Sequence, residues 1–120
     1  MLSAENYSYK YLSINQIPHN YIADLDITDS TFYEFIKSRI PDKENIRMLL
    51  EFMGYCMMKD VTFQKFMILY GLGESGKSTI INFTTSMVGI ENTCSIPLQQ
   101  LNDRFTTASL LLKILNTCGD

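Results

Sequence analysis

The chain has 120 residues, room for one modest domain or one and a half small ones, and 46% of them are hydrophobic, with 7 Tyr and 7 Phe to build a core. Charged residues make up only 19%, which excludes a solvated, disordered chain as the main state. The net charge of −3 and the pI of about 5.0 exclude the basic surplus of a free-standing nucleic-acid binder, so the chain by itself should hold DNA poorly.

Residues 1–27 are rich in Tyr, Asn and Ser and keep no sustained period; "YSYKYLSI", residues 7–14, alternates enough for one short strand before Pro18 and Asn20 interrupt it. The next stretch, "TDSTFYEFIKSRI", predicts a helix. Thr31 and Glu34 have capping-box spacing, Ser30 and Asp29 are rival caps, and Phe32, Phe35, Ile36 and Ile40 share a face. Pro41 ends this helix and Asp42 caps the next, "KENIRMLLEFMGYCMMKD". There Ile46, Leu49, Leu50, Met53 and Met57 form one apolar stripe at helical spacing. Ordinary core is the better reading of the Met-rich end than a pliable partner surface. Gly54 within the helix suggests the close approach of a neighbouring element.

Phe66 to Tyr70 form a wholly apolar run ending at Gly71, the pattern of a strand buried on both faces in a parallel sheet. Residues 77–88 predict a helix that uses Ile80, Ile81, Phe83, Thr84 and Met87 for contacts and stops at Gly89. "SIPLQQLNDRF" holds a short helix started by Pro97, and "SLLLKILNTCGD" reads as a second apolar strand. Cys56, Cys94 and Cys118 are far apart and His19 is the only histidine, which argues against zinc and for buried free thiols. The start shows no charged-then-apolar leader layout, and no run reaches the length of a membrane helix, so a soluble, intracellular protein without membrane partners is expected.

Between the buried run and the third helix lies "GLGESGKS", residues 71–78, a match to G-x-x-x-x-G-K-[ST]. At average residue frequencies a chance match in a chain of this length has odds of about 1 in 200. Each residue type has a physical role. Gly71, Gly73 and Gly76 let the loop curl with Glu74 and Ser75 around a polyphosphate without Cβ atoms in the way. The helix that follows aims its free N–H groups and positive dipole end at the anion. Lys77 supplies a point charge for the β- and γ-phosphates, Ser78 a hydroxyl ligand for Mg²⁺, and Thr79 lies near the α-phosphate. A nucleotide loop also needs an acid at the tip of a neighbouring strand to help hold the metal. Asp120, after the last apolar run, is the candidate, and a plain strand end is the competing reading.

Taken together, "FMGYCMMKDVTFQKFMILYGLGESGKST" and the later Leu98 to Leu110 segment, "LxxLxxRFxxAxL", resemble the phage- and plasmid-associated primase-helicases. These carry a superfamily-three helicase domain, a branch of the AAA+ ATPases related to the poxvirus primase-helicase. The resemblance runs from about residue 18 to the end of the chain. It implies an α/β fold in which a small N-terminal helical domain, residues 1–60, precedes the first part of a P-loop NTPase domain, residues 61–120. It implies ATP and Mg²⁺ as cofactors, Lys77 and Asp120 as catalytic residues, and Ser78 and Asp120 as metal ligands. It further implies DNA as partner, a homo-oligomeric ring, and work in the cytoplasm of a bacterial host during phage or plasmid replication. Two departures are local: Ser75 stands where the family often has Asn, and Leu112 where it commonly has Gly. The third is length. Family members continue past the position of Asp120 into a sensor strand, a DNA-contacting hairpin and an arginine finger, and they usually begin with a primase module. The expectation is therefore the entry half of a motor, whose first and second apolar strands face a gap one strand wide. The alternatives are a non-enzymatic remnant that only folds or only docks on an intact homologue through its helical half, and a small-molecule P-loop kinase.

Overall fold

Three helices turn their apolar stripes toward one another, and a short parallel strand pair closes the far end of the third. The computed structural model describes residues 13–119. The strand expected over residues 7–14 falls almost wholly outside them. The fold is mixed and dominated by helix, with a small parallel two-stranded sheet.

Helix α1 (Thr31–Arg39) starts at Ser30, whose Oγ accepts from the Tyr33 N–H at 3.1 Å, so the nearer of the rival caps wins over Thr31. A 3-10 turn, Ile27–Asp29, precedes it and is capped by Asp26; the Thr28 hydroxyl and N–H hold the Asp26 carboxyl below the usual carboxylate range. The helix stops at Ile40, which is extended (φ −118°) as the residue before a proline must be. Helix α2 (Lys43–Cys56) is capped by Asp42, which accepts from Glu44 N–H at 3.0 Å. It buries Ile46, Leu49, Met53 and Cys56.

Two expectations for α2 fail. Met57 does not continue the stripe: its N–H turns to Gly54 O at 3.1 Å, the last turn tightens, and the side chain swings outward while Cys56 takes the inner place. Among the described residues nothing lies within 4 Å of where a Cβ on Gly54 would stand, so no described element approaches it.

Helix α3 (Lys77–Val88) has the expected bounds. It buries Ile80, Thr84 and Val88, and the Thr84 hydroxyl is satisfied by Ile80 O at 2.8 Å. Its Phe83 stacks on Phe32 of α1 with ring centroids 3.7 Å apart. One buried cluster joins the three helices: Ile36, Ile46, Leu49, Met53 and Ile80, flanked by half-buried side chains that include Phe35, Met67, Leu69 and Met87.

The run Phe66–Tyr70 is not a strand buried on two faces. It is extended, with Met67 and Leu69 turned to the helical core, while Phe66, Ile68 and Tyr70 are 79%, 76% and 99% exposed. Among the described residues its backbone pairs with no other segment, and only one face has packing partners there. The apolar run reads as doubly buried because it lacks alternation in sequence; burial imposes the period of two instead.

After α3 the chain forms a 3-10 turn at Ile90–Asn92, strand β1 (Thr93–Cys94), a 3-10 turn at Leu98–Gln100 started by Pro97, the short helix α4 (Arg104–Ala108) and strand β2 (Leu115–Asn116). The strands are parallel, with Thr93 opposite Leu115 and Cys94 opposite Asn116. The long second strand is thus reduced to two residues. Leu112 adopts φ 64°, which bends the chain before it, and β1 offers only two residues to pair. Asn116 then locks the crossover: its side chain accepts from Ile96 N–H at 2.8 Å and donates to Ile96 O at 3.1 Å.

All three cysteines are free. Cys56 is buried and burial pushes its thiol pKa up; Cys94 is half-buried, and Cys118 is exposed, against the expectation that all three are interior. No described helix is long and apolar enough to cross a membrane. The radius of gyration is 16.0 Å, whereas a tightly packed chain of about a hundred residues has about 13 Å.

Candidate functional site: a cleft at the start of α3

The loop between the extended run and α3 turns on two residues in left-handed backbone, Glu74 (φ 58°) and Gly76 (φ 88°). Gly76 is the N-cap of α3. With no side chain it cannot accept from the first-turn N–H groups, and no acidic residue stands in that turn. Helices α1, α2 and α4 each have a capping side chain, from Ser30, Asp42 and Asp103. The N-terminus of α3 therefore faces outward with its donors and its positive dipole end uncompensated by side chains.

Lys77 lies across this opening. Its ammonium donates to Gly71 O at 2.7 Å, Leu72 O at 2.9 Å and Ser75 Oγ at 3.1 Å. These contacts hold the charge over the loop rather than out in solvent. These three partners are neutral oxygens, not carboxylates. The space at the mouth is an open cleft of about 220 Å³, walled on one side by residues 74–79 and on the other by Phe35 and Arg39 of α1. That is below the roughly 300–1,000 Å³ of pockets that enclose a whole small ligand. It suits the phosphate end of a nucleotide, with the rest outside.

Of the residues singled out by sequence, Glu74, Ser75, Gly76, Lys77, Ser78 and Thr79 meet in this one cleft. Gly71 joins through its carbonyl on Lys77. Gly73 does not line the cleft, and among the described residues nothing lies within 4 Å of its missing Cβ. Asp120 lies outside the described residues. The donor set fits a polyphosphate: unpaired helix N–H groups and a lysine ammonium around one opening. It also fits Mg²⁺ carried in with phosphate, since that ion needs only one or two protein ligands beside phosphate oxygens and water, and Ser78 offers one hydroxyl there. Among the described residues no group of three or more His, Cys, Asp or Glu side chains could hold a metal without the phosphate.

Sequence reasoning missed Phe35 and Arg39. Phe35 reads as plain core, and the one signal in the sequence is their spacing of four on the same face of α1. No protein-family model, no curated protein and no solved structure matches this chain.

Proposed function

We propose that this chain carries the nucleotide-binding part of an ATP-driven DNA helicase of the superfamily-three type, from a phage or plasmid, built on the first part of an AAA+-like P-loop domain. The observation that carries the nucleotide reading is the conjunction at one cleft of a left-handed Gly76, an α3 start without a side-chain cap, and the Lys77 ammonium. In this reading the first-turn N–H groups and Lys77 bind the β- and γ-phosphates of ATP. Ser78 and Asp120 hold Mg²⁺, and Thr79 lies near the α-phosphate. The helicase level, with DNA and a homo-oligomeric ring as partners in a bacterial cytoplasm, rests on the resemblance of residues 52–79 and 98–110 to that family.

Titration of the protein with a fluorescent ATP analogue and Mg²⁺ tests the nucleotide reading. Lys77→Ala should remove most of the affinity, because a charge-assisted phosphate contact is lost. Equal affinity in wild type and variant rejects it. A second reading, a docking fragment without nucleotide, draws on the exposed row Phe66, Ile68 and Tyr70. It expects no saturable nucleotide binding.

A further inference from the structure

The cleft has a wall that the phosphate-loop pattern does not include. Helix α1 brings Phe35 and Arg39, one turn apart, against the loop. The contact is close: a Cβ on Gly76 would fall 2.8 Å from Phe35 Cζ and 3.6 Å from Arg39 Cγ. The aliphatic stem of Arg39 thus lies along the Gly76 backbone, and its guanidinium carbon stands 6.0 Å from the centre of the Phe35 ring. Ile36, between them in sequence, is completely buried in the three-helix cluster. That anchor fixes the rotation of α1 and keeps the Phe35–Arg39 face on the loop.

Charge gives the wall a direction. The cleft is lined by two cations, Arg39 and Lys77, and one carboxylate, Glu74. Lys77 is engaged by the loop carbonyls. Arg39 forms no ion pair among the described residues; the pairs there are Lys37–Glu34 on α1 and Arg47–Glu51 on α2. A planar guanidinium on a stem braced by an aromatic ring and a glycine backbone is suited to bidentate recognition of phosphate oxygens.

We propose that Arg39 is a second phosphate-binding residue of the cleft, reaching the polyphosphate from α1 opposite Lys77, so that a bound nucleotide spans the helical part and the loop. This rests on the nucleotide reading above. The cleft encloses the phosphate end, so Arg39 recognises the polyphosphate and not the base.

The test uses the full chain with MgATP, magnesium tripolyphosphate and adenosine as probes, followed by calorimetry on wild type, Arg39→Gln, Arg39→Lys and Lys77→Ala. Arg39 is exposed, so its variants should keep the circular dichroism of the wild type. Arg39→Gln should weaken MgATP and tripolyphosphate by the same factor, about tenfold, as expected for one charge-assisted contact near the surface. Arg39→Lys should recover part of the loss. Three results overturn the proposal. A loss below threefold in Arg39→Gln, while Lys77→Ala abolishes binding, removes Arg39 and leaves the nucleotide reading standing. A loss with MgATP but not with tripolyphosphate moves Arg39 to the nucleoside. No binding of any phosphate probe by wild type rejects the nucleotide reading itself, and this proposal with it.

Discussion

The two ends of α3 are finished in opposite ways. At the C-terminal end the Thr85, Ser86 and Val88 carbonyls all find partners. Gly89 reverses the chain at φ 99°, and its N–H closes on Thr85 O at 2.9 Å. The buried Asn92 side chain donates to Val88 O at 2.9 Å and Gln16 O at 2.8 Å, and accepts from Asn15 Nδ2 at 3.1 Å. The Thr93 hydroxyl donates to Gly89 O at 3.0 Å, and His19 Nε2 lies 2.9 Å from Ser86 O. At the N-terminal end no side chain caps the first turn, and the nearest cation is held by loop carbonyls. One end is spent on stability and the other is left with donors to offer. Substitutions at the first should therefore change unfolding, and substitutions at the second should change binding.

The largest effect is expected at Gly89. Its φ of 99° with ψ 134° is a glycine region, and an added Cβ would meet the rigid Pro18 ring at 2.9 Å and Asn92 Nδ2 at 3.3 Å. Gly89→Ala should lower the unfolding free energy by about 2–4 kcal/mol in urea titration, the sum of backbone strain and overpacking. A loss under about 1 kcal/mol would mean that the C-terminal junction yields easily. Asn92→Ala comes next. It strands Val88 O in a buried place and releases the Asn15–Gln16 segment, which argues for about 2–3 kcal/mol. The same variant should leave the affinity for MgATP within about threefold, because the altered end is the far end of the helix.

Lys77→Ala sharpens the contrast from the other side. Lys77 is half-buried and its three acceptors are loop oxygens that water can reach once the ammonium is gone. Unfolding should shift by no more than about 1 kcal/mol while nucleotide affinity falls by at least tenfold. A variant that unfolds like Gly89→Ala would show that Lys77 is a structural strut and that the asymmetry between the ends is false.

Legibility in the sequence follows the same division. The bounds of α3, its stop at Gly89 and the Asp42 cap of α2 were readable because local chemistry sets them: a glycine with positive φ, and a carboxylate on a free N–H. The gathering of Gly76, Lys77 and Ser78 is readable because they are consecutive, so one cleft holds them whatever else the chain does. The Phe35–Arg39 wall is not, since two residues about forty positions upstream reach Gly76 only through the packing of α1 by Ile36. The doubly buried strand expected at 66–70 fails for a related reason. Five apolar residues in a row say that burial is available, but tertiary neighbours decide how many faces receive it. In the same way Leu112, at φ 64°, interrupts the apolar run and leaves only Leu115–Asn116 as strand.

The smallest stability effect, and the finest test of the contrast between satisfied and open parts of the molecule, is at Ile68. It is 76% exposed, whereas its neighbour Leu69 packs on the three-helix cluster. In an extended segment adjacent side chains point to opposite faces, so the two should respond in opposite ways. Leu69→Ala should destabilise by about 1–2 kcal/mol, less than a fully buried leucine because Leu69 is only half-buried. Ile68→Lys should stay within about 0.5 kcal/mol in urea titration. Its visible consequence should be colloidal. Phe66, Ile68 and Tyr70 form an apolar row on a segment whose backbone pairs with none of the described residues, and such edges invite association. Sedimentation of the wild type should therefore show concentration-dependent association, and Ile68→Lys should reduce it by placing a charge in the middle of the row. If Ile68→Lys instead unfolds the chain as severely as Leu69→Ala, the outer face of this segment is buried in solution and the row is already covered.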